Sequence, residues 1–258
     1  MSKTFLNSEK PLITCMVQAD TPQRIRELVS LSIPEGADAF GMQFCKLNPE
    51  YRNRQTYCEL FALTEGRPVY VTNYRVAQNA SKSEDTLAEE LIELAECGAT
   101  LCDVMGDTFD RPAGEPTIVG APTMNEEAVK KQIKLIDELH ARGAEVLMSS
   151  HIMKFTPAER VLEMAREHRR RGADISKIVV AAETPAEEIE NLRISNMLRE
   201  ELDFPFLFLS SGECSRIIRR IGSCFGSCMS LCVYEQDAFS TKAQPLLRDV
   251  KAIEEILG

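Results

Sequence analysis

Short apolar runs alternate along this chain with longer stretches whose apolar residues recur at helical spacing. The runs are too continuous for half-exposed strands, which indicates strands covered on both faces. One junction recurs, namely a helix-like stretch, then Gly-Ala, then an apolar run, at Gly36, Gly98, Gly143 and Gly172. Glycine ends a helix by taking the left-handed conformation, so each junction predicts a helix that leads into a parallel strand.

Eight βα units can be counted. The predicted strands cover residues 11–18, 39–46, 68–74, 100–105, 145–151, 175–182, 204–210 and 228–234, and helical patterns between them include 21–31, 83–97, 125–142 and 156–171. Thr156-Pro-Ala-Glu and Thr184-Pro-Ala-Glu each predict a helix start with a capping box. Eight units in 258 residues favour a single-domain (β/α)8 TIM barrel over residues 1–258, because a doubly wound sheet usually has fewer strands.

The longest irregular stretch covers residues 106–123 and contains Pro112, Pro116 and Pro122. It follows the fourth predicted strand, so it is expected on the face of the barrel where active sites lie. A long ordered loop in this place predicts either a cover over substrate or a contact between subunits.

Composition and charge narrow the class of protein. The formal net charge of −10 argues against nucleic-acid binding, which usually needs a basic face. No run approaches the ~18 apolar residues of a membrane span, and the first residues lack the apolar core of a signal peptide. The nine cysteines show no paired framework. We therefore expect a cytoplasmic protein with no membrane and no nucleic-acid partner.

Two residues suggest covalent chemistry with a carbonyl compound. Lys177 lies inside the sixth apolar run and His151 ends the fifth. Burial favours the neutral form of an amine, which is a nucleophile toward carbonyls, and a histidine one strand away could move the protons of imine chemistry. The alternative is a lysine that reaches solvent and a histidine with ordinary hydrogen bonds.

A metal site is a second hypothesis for the same end of the barrel. The residues at or just after predicted strand ends include Asp103, Asp107, His151 and Glu183, which are hard ligands. Their spacing is not diagnostic, so we predict no metal.

Several motifs fit one known family. Met148-Ser-Ser-His151 is followed by Thr156-Pro157, and then by Ala173-Asp-Ile-Ser-Lys177-Ile, in which Lys177 lies 26 residues after the histidine. Further blocks are Ser210-Ser-Gly-Glu-Cys-Ser-Arg-Ile-Ile-Arg219 with Phe225-Gly226-Ser227, and Ser240-Thr-Lys-Ala-Gln244. With these motifs the chain resembles the type I 3-dehydroquinate dehydratases, which are Schiff-base (β/α)8 barrels of the shikimate pathway and aromatic amino-acid biosynthesis.

The resemblance implies a role for each matched residue. Lys177 would form the imine, and His151 would act as general acid and base in the syn elimination of water from 3-dehydroquinate or a closely related cyclic hydroxyketone acid. Arg219 would bind the carboxylate, with Arg216 as second choice, and Ser240 and Gln244 would contact substrate. The product would be the enone 3-dehydroshikimate, and neither a cofactor nor a metal would be needed.

The departures from the family pattern lie in the first half of the chain. Gly41 and Gln43 stand where the family has glutamate and arginine, so we expect Gly41 to leave room and Gln43 to meet a substrate hydroxyl. Arg75 survives in a slightly altered frame, and Asp103 remains of an Asp-x-Glu pair. Both are expected to bind substrate.

These departures keep other functions open. A Schiff-base lyase or aldolase-like enzyme for a different hydroxyketone is one, and a catalytically inactive binding protein with the same fold is another. Family members are often dimers, which makes a homodimer an option that the sequence does not decide.

Overall fold

The computed structural model describes residues 4–111 and 120–257, and within them a nearly closed barrel of parallel strands. The strands are β1 Leu12–Val17, β2 Ala39–Gln43, β3 Val69–Thr72, β4 Leu101–Met105, β5 Glu145–Ile152, β6 Ile175–Ala181, β7 Phe206–Ser211 and β8 Met229–Cys232. They pair in the order β7-β6-β5-β4-β3-β2-β1-β8. The Cys228 amide donates to the Phe206 carbonyl at 2.8 Å and brings the two edge strands together. The predicted (β/α)8 barrel is confirmed.

Helices follow the strands and cover the outside of the barrel. They are α1 Pro22–Ser32, α2 Arg54–Ala62, α3 Glu84–Glu96, α4 Glu126–Ala141, α5 Ala158–Arg170, α6 Pro185–Glu201, α7 Ile218–Ile221 and α8 Leu247–Leu257. The capping box predicted at Thr184 is present, because its hydroxyl accepts from the Glu187 amide while the Glu187 side chain accepts from the Thr184 amide. None of the described helices has the length and apolar character to cross a membrane.

Two other local predictions have opposite outcomes. Each of the four junction glycines has a positive φ, at 94° for Gly36, 108° for Gly98, 81° for Gly143 and 100° for Gly172, which confirms the left-handed helix ends. The capping box predicted at Thr156 is wrong. Its hydroxyl donates to the Lys154 carbonyl at 3.2 Å, so it does not cap α5.

The inside of the barrel is apolar at its amino-terminal end. Side chains alternate along each strand, so every second residue points inward. The apolar cluster formed there contains Phe5, Leu12, Leu101, Leu147, Ile175, Leu207 and Met229, among others. Because this layer fills the lower barrel, polar side chains on the inner face can meet only nearer the carboxyl ends of the strands.

The long connection after β4 is anchored at both of its described ends. The Thr123 amide donates to the Gly106 carbonyl at 3.0 Å, and the buried Arg171 donates to that carbonyl at 3.1 Å. Residues 112–119 of the predicted 106–123 loop lie outside the described residues. The assignment of residues 1–258 to one domain therefore stays a prediction.

Candidate active site

Lys177 points into the barrel and is almost fully buried. It lies on β6 between Ile175 and Val179, which belong to the inner apolar cluster, and only 5% of the residue is exposed. Its Nζ donates to the hydroxyl of Tyr74 at 2.6 Å and to that of Tyr70 at 2.9 Å. The Asp103 Oδ2 atom lies 3.3 Å from Nζ. Two phenols and one carboxylate thus hold the Lys177 amine.

Asp103 is the centre of this arrangement. Its Oδ2 accepts hydrogen bonds from the hydroxyls of Tyr70 and of Tyr74, the latter at 2.6 Å, and its Oδ1 accepts from the Ser149 hydroxyl. We call these five residues, Lys177, Asp103, Tyr70, Tyr74 and Ser149, the lysine cage. Four hydrogen-bonding partners compensate the cost of burying the carboxylate.

Burial and charge set the protonation tendencies in the cage. Burial lowers the pKa of Lys177 below its usual value, and the positive Arg219 adds to this, while Asp103 opposes it. Burial and the Asp103 charge raise the pKa values of Tyr70 and Tyr74 well above 10. Both phenols therefore stay protonated at neutral pH, and the amine loses a proton more easily than an exposed lysine does.

His151 lies one inward position closer to the mouth of the barrel. On β5, Ser149 pairs with Lys177 and His151 pairs with Val179. The imidazole meets the ring of Tyr74 edge-on at 5.8 Å between centroids. Its Nε2 atom is buried and has no hydrogen-bond partner among the described residues. Burial, then the charges of Lys177 and Arg219, lower the pKa of His151 well below 6.5, so the ring is a neutral base with a free nitrogen.

Arg219 adds a buried positive charge beside Lys177 and His151. It lies on the short helix α7, and its Nε donates to the Ser210 carbonyl at 2.6 Å. Burial lowers the pKa of Arg219 to about 10, and its charge acts on both His151 and Lys177. A buried guanidinium beside a lysine and a neutral histidine suits a carboxylate on a bound ligand.

Arg75 does not join this group. Its side chain is fully buried, and it forms ion pairs with Asp107 and Glu84, each at 2.9 Å. The expectation that Arg75 meets substrate therefore finds no support in its contacts. Asp107 is engaged as well, because the Gly120 amide donates to it at 2.8 Å.

Three other expected substrate contacts lie outside the cage. The Gln43 amide donates to the Cys45 Sγ at 3.2 Å. Ser240 donates to the Gln236 side chain at 3.0 Å, and the Gln244 side-chain oxygen accepts from the Thr241 amide at 3.2 Å. None of these hydrogen bonds reaches Lys177, so their roles toward substrate stay predictions.

The space expected at Gly41 is filled. A Cβ atom built on Gly41 would lie 2.1 Å from the Met16 Sδ and 3.3 Å from the Tyr70 ring. The expectation that this glycine leaves room for substrate is wrong, because the Met16 thioether already occupies that volume.

The positions of the four candidate ligands do not support the metal hypothesis. Asp103 is bound in the lysine cage and Asp107 to Arg75, while Glu183 accepts from the Glu213 amide at 3.3 Å. Across residues 4–111 and 120–257, no group of three histidine, cysteine or acidic side chains is placed to hold a metal ion.

Sequence reasoning missed the two tyrosines. The alternation of side chains along β3 places Tyr70 on the inner face of the barrel. A buried tyrosine hydroxyl usually has a hydrogen-bond partner, so the alternation could have predicted a contact with an inward lysine or aspartate. Tyr74 comes two residues after β3 ends at Thr72, where no alternation predicts a direction. Its placement depends on the loop, which Asn79 supports by donating to the Tyr74 carbonyl at 2.9 Å.

Comparison with known proteins places the chain among dehydroquinases. A family model described as type I 3-dehydroquinase matches residues 123–258. A 3-dehydroquinate dehydratase of Syntrophotalea carbinolica is 31% identical over 119 residues, which is 45% of this chain and 46% of the relative. One of Klebsiella pneumoniae is 31% identical over 121 residues, 46% and 47% of the two chains. The chain thus matches about half the length of these curated relatives.

Solved structures extend the likeness of fold to the whole barrel. The crystal structure of 3-dehydroquinate dehydratase from Geobacillus kaustophilus has a TM-score of 0.81 and 19% identity, and the match covers 98% of this chain and 93% of that one. A type I 3-dehydroquinate dehydratase from Clostridium difficile has a TM-score of 0.80 at 16% identity, covering 98% and 94%. At such identities the likeness shows the fold alone.

Proposed function

Because the chain belongs to the type I 3-dehydroquinase family, we propose that it removes water from 3-dehydroquinate through a Schiff base on Lys177. The observation that carries the proposal is the buried Lys177 amine, whose pKa is lowered, beside the free imidazole nitrogen of His151 and the Arg219 guanidinium. These are the groups that imine formation, proton transfer and carboxylate binding require.

In the proposed mechanism, Arg219, Lys177 and His151 each perform a separate step. The substrate carboxylate binds Arg219, which aims the ring ketone at Lys177. The Lys177 nitrogen adds to the carbonyl carbon, and the oxygen leaves as water. The iminium withdraws electrons from the neighbouring carbon, and the neutral His151 removes a proton there. The C–H electron pair enters the ring, the β-hydroxyl leaves with the proton from His151, and hydrolysis of the imine releases the enone and the amine.

Further features belong to the same proposal. The chemistry uses only side chains of this protein, so no cofactor or metal takes part. The cytoplasm suits the nine cysteines, which are all free. The pathway would be the shikimate pathway, the partner a carboxylated hydroxyketone, and the assembly a homodimer. Gln43, Ser240 and Gln244 would contact this substrate at the mouth of the barrel.

The test is turnover of 3-dehydroquinate, followed by the absorbance of the enone. We expect activity in the wild-type protein, none in Lys177→Met, and wild-type activity in Lys251→Met. Lys251 is a suitable control because it lies on α8 and pairs with Glu254 at 3.1 Å, away from the cage. Absence of turnover in the folded wild-type protein would defeat the proposal.

A further inference from the structure

The lysine cage contains two continuous hydrogen-bonded paths from the amine to the carboxylate. In each path the Lys177 Nζ donates to a phenol oxygen, and that phenol donates to Asp103 Oδ2. The two legs through Tyr74 are both 2.6 Å, whereas the direct separation of Nζ from Oδ2 is 3.3 Å. Each of the two transfers through the Tyr74 hydroxyl therefore spans a shorter donor–acceptor distance than a direct transfer between the two charged groups.

The two phenols differ in their position relative to the mouth. Tyr70 pairs with Leu101 in the sheet, two residues before Asp103, and its ring meets Phe5 edge-on in the apolar lower layer at 6.5 Å. Tyr74 follows β3 and lies against the ring of His151. Tyr74 is thus the hydroxyl that joins the buried carboxylate to the side of the amine where a carbonyl would arrive.

We propose that Tyr74 is a catalytic residue that carries a proton between the Lys177 amine and the Asp103 carboxylate during imine formation, a role that rests on the proposed function. Tyr70 is a positioning residue that holds Asp103 from below. The titratable groups that face the amine come from five parts of the barrel and are Tyr70, Tyr74, Asp103, His151 and Arg219.

The proton transfer balances at every stage. An ammonium proton moves to the Tyr74 oxygen as the Tyr74 proton moves to Asp103, which leaves a neutral amine and a carboxylic acid. The amine nitrogen forms a bond to the carbonyl carbon, and a second nitrogen proton moves to the oxygen to give a carbinolamine. The proton stored on Asp103 returns through Tyr74 to the hydroxyl, which leaves as water. The iminium and an ionised Asp103 remain.

The matched test compares Tyr74→Phe with Tyr70→Phe, because each deletes one hydroxyl with the same two partners. Formaldehyde serves as the carbonyl probe, borohydride reduces the imine, and peptide mass gives the labelling rate of Lys177. We expect Tyr74→Phe to slow labelling at least about tenfold and Tyr70→Phe less than about threefold. Labelling in D2O should be slower than in H2O for the wild type and for Tyr70→Phe, and this isotope effect should be lost in Tyr74→Phe.

Each outcome decides the proposal. Equal slowing in both variants would mean that the two hydroxyls only stabilise the charges of Lys177 and Asp103. Slowing in neither variant would mean that Asp103 and Lys177 exchange protons without Tyr74. Either result overturns the relay. If Tyr74→Phe fails to fold, 3-fluorotyrosine at position 74 keeps the shape and lowers the phenol pKa, and the relay requires the pH profile of labelling to shift.

Failure of the proposed function would look different. Formaldehyde needs neither Arg219 nor a substrate pocket, so its labelling pattern measures the relay by itself. A wild-type protein that shows the Tyr74 effect with formaldehyde but no turnover of 3-dehydroquinate would refute the substrate and retain the relay.

Discussion

The two halves of the barrel differ in how they relate to the dehydroquinase family. The family model matches residues 123–258, which contain His151, Lys177 and Arg219. The first 122 residues lie outside that match and contain Tyr70, Tyr74 and Asp103 of the lysine cage. The likeness of fold nevertheless covers 98% of the chain. The same barrel thus combines a second half that matches the family model with a first half that supplies the phenols and the carboxylate around the Lys177 amine.

The halves also differ in charge at the site. The second half supplies a lysine, an arginine and a neutral histidine, while the first half supplies one carboxylate and two phenols. The proposed imine chemistry requires a nucleophile, a base and a cation, and the second half contains all three. The first half contributes three hydrogen-bonding partners of the Lys177 amine, namely Tyr70, Tyr74 and Asp103.

The largest effect is expected when the base in the second half is removed. His151→Ala should lower kcat by about 10²–10⁴-fold, because the imidazole performs the proton transfers of the elimination. Gln43→Ala in the first half should change kcat much less, since the Gln43 side chain, which donates to the Cys45 Sγ at 3.2 Å, takes no part in the proposed proton transfers. Enone absorbance measures both. Equal losses would contradict the assignment of the proton transfers of the elimination to His151.

Two buried arginines, one in each half, should separate stability from binding. Arg75→Met leaves Asp107 and Glu84 without their cation and should lower the free energy of unfolding by about 3 kcal/mol. Arg219→Met should raise KM for 3-dehydroquinate with a smaller loss of stability. Urea unfolding and steady-state kinetics measure the pair, and a raised KM in a stable Arg75→Met protein would reverse our assignment.

Acid sensitivity of the fold should come from the second half. Burial lowers the pKa of His168 from 6.5 to about 3, and Ser150 and Ser176 hold its ring. The unfolded chain binds the proton more tightly, so stability present above about pH 6.5 is lost as the pH falls toward 3. Between about pH 7 and pH 5 the loss is roughly 2 kcal/mol.

A matched variant isolates this contribution. His168→Gln lacks the titrating ring, so its unfolding free energy should vary less with pH over the same range. An unchanged pH slope, measured by urea unfolding, would assign the acid sensitivity to other groups.

The smallest effect is expected at Gly41, in the first half of the barrel. Gly41→Ala places a Cβ atom against the Met16 thioether and should cost about 1 kcal/mol of stability, because Met16 can move its flexible end. In a Met16→Ala background the same substitution should cost less, because only the Tyr70 ring, at 3.3 Å, remains close to the added atom. Thermal unfolding of the four proteins measures the coupling. Additive effects would show that Met16 does not fill this volume.

The barrel was predictable because it repeats. Each of the eight apolar runs predicts a strand, and each of the four Gly-Ala junctions predicts a helix end. The positive φ of the four glycines confirms these helix ends. The sequence placed the start of α5 within two residues but not its cap, because the Thr156 hydroxyl donates to the Lys154 carbonyl.

The side-chain contacts in the first half of the barrel were less predictable, because they join residues that are distant in the sequence. Gly41 suggested open space in the sequence, yet Met16 from the neighbouring strand fills it. Arg75 suggested a substrate contact, yet Asp107 and Glu84 bind it. Tyr74 lies in a loop where no periodicity applies. Local patterns indicate which residues point inward, but not which partner each one finds.

The central claim is that Lys177 forms a covalent imine with 3-dehydroquinate. The most direct measurement is the intact mass of the protein after borohydride reduction in the presence of 3-dehydroquinate, with peptide mapping of the adduct. We predict one adduct per chain, located on Lys177, absent from Lys177→Met and retained in Lys251→Met. A wild-type protein that turns over 3-dehydroquinate without a reducible adduct, or with an adduct on another lysine, would contradict the account.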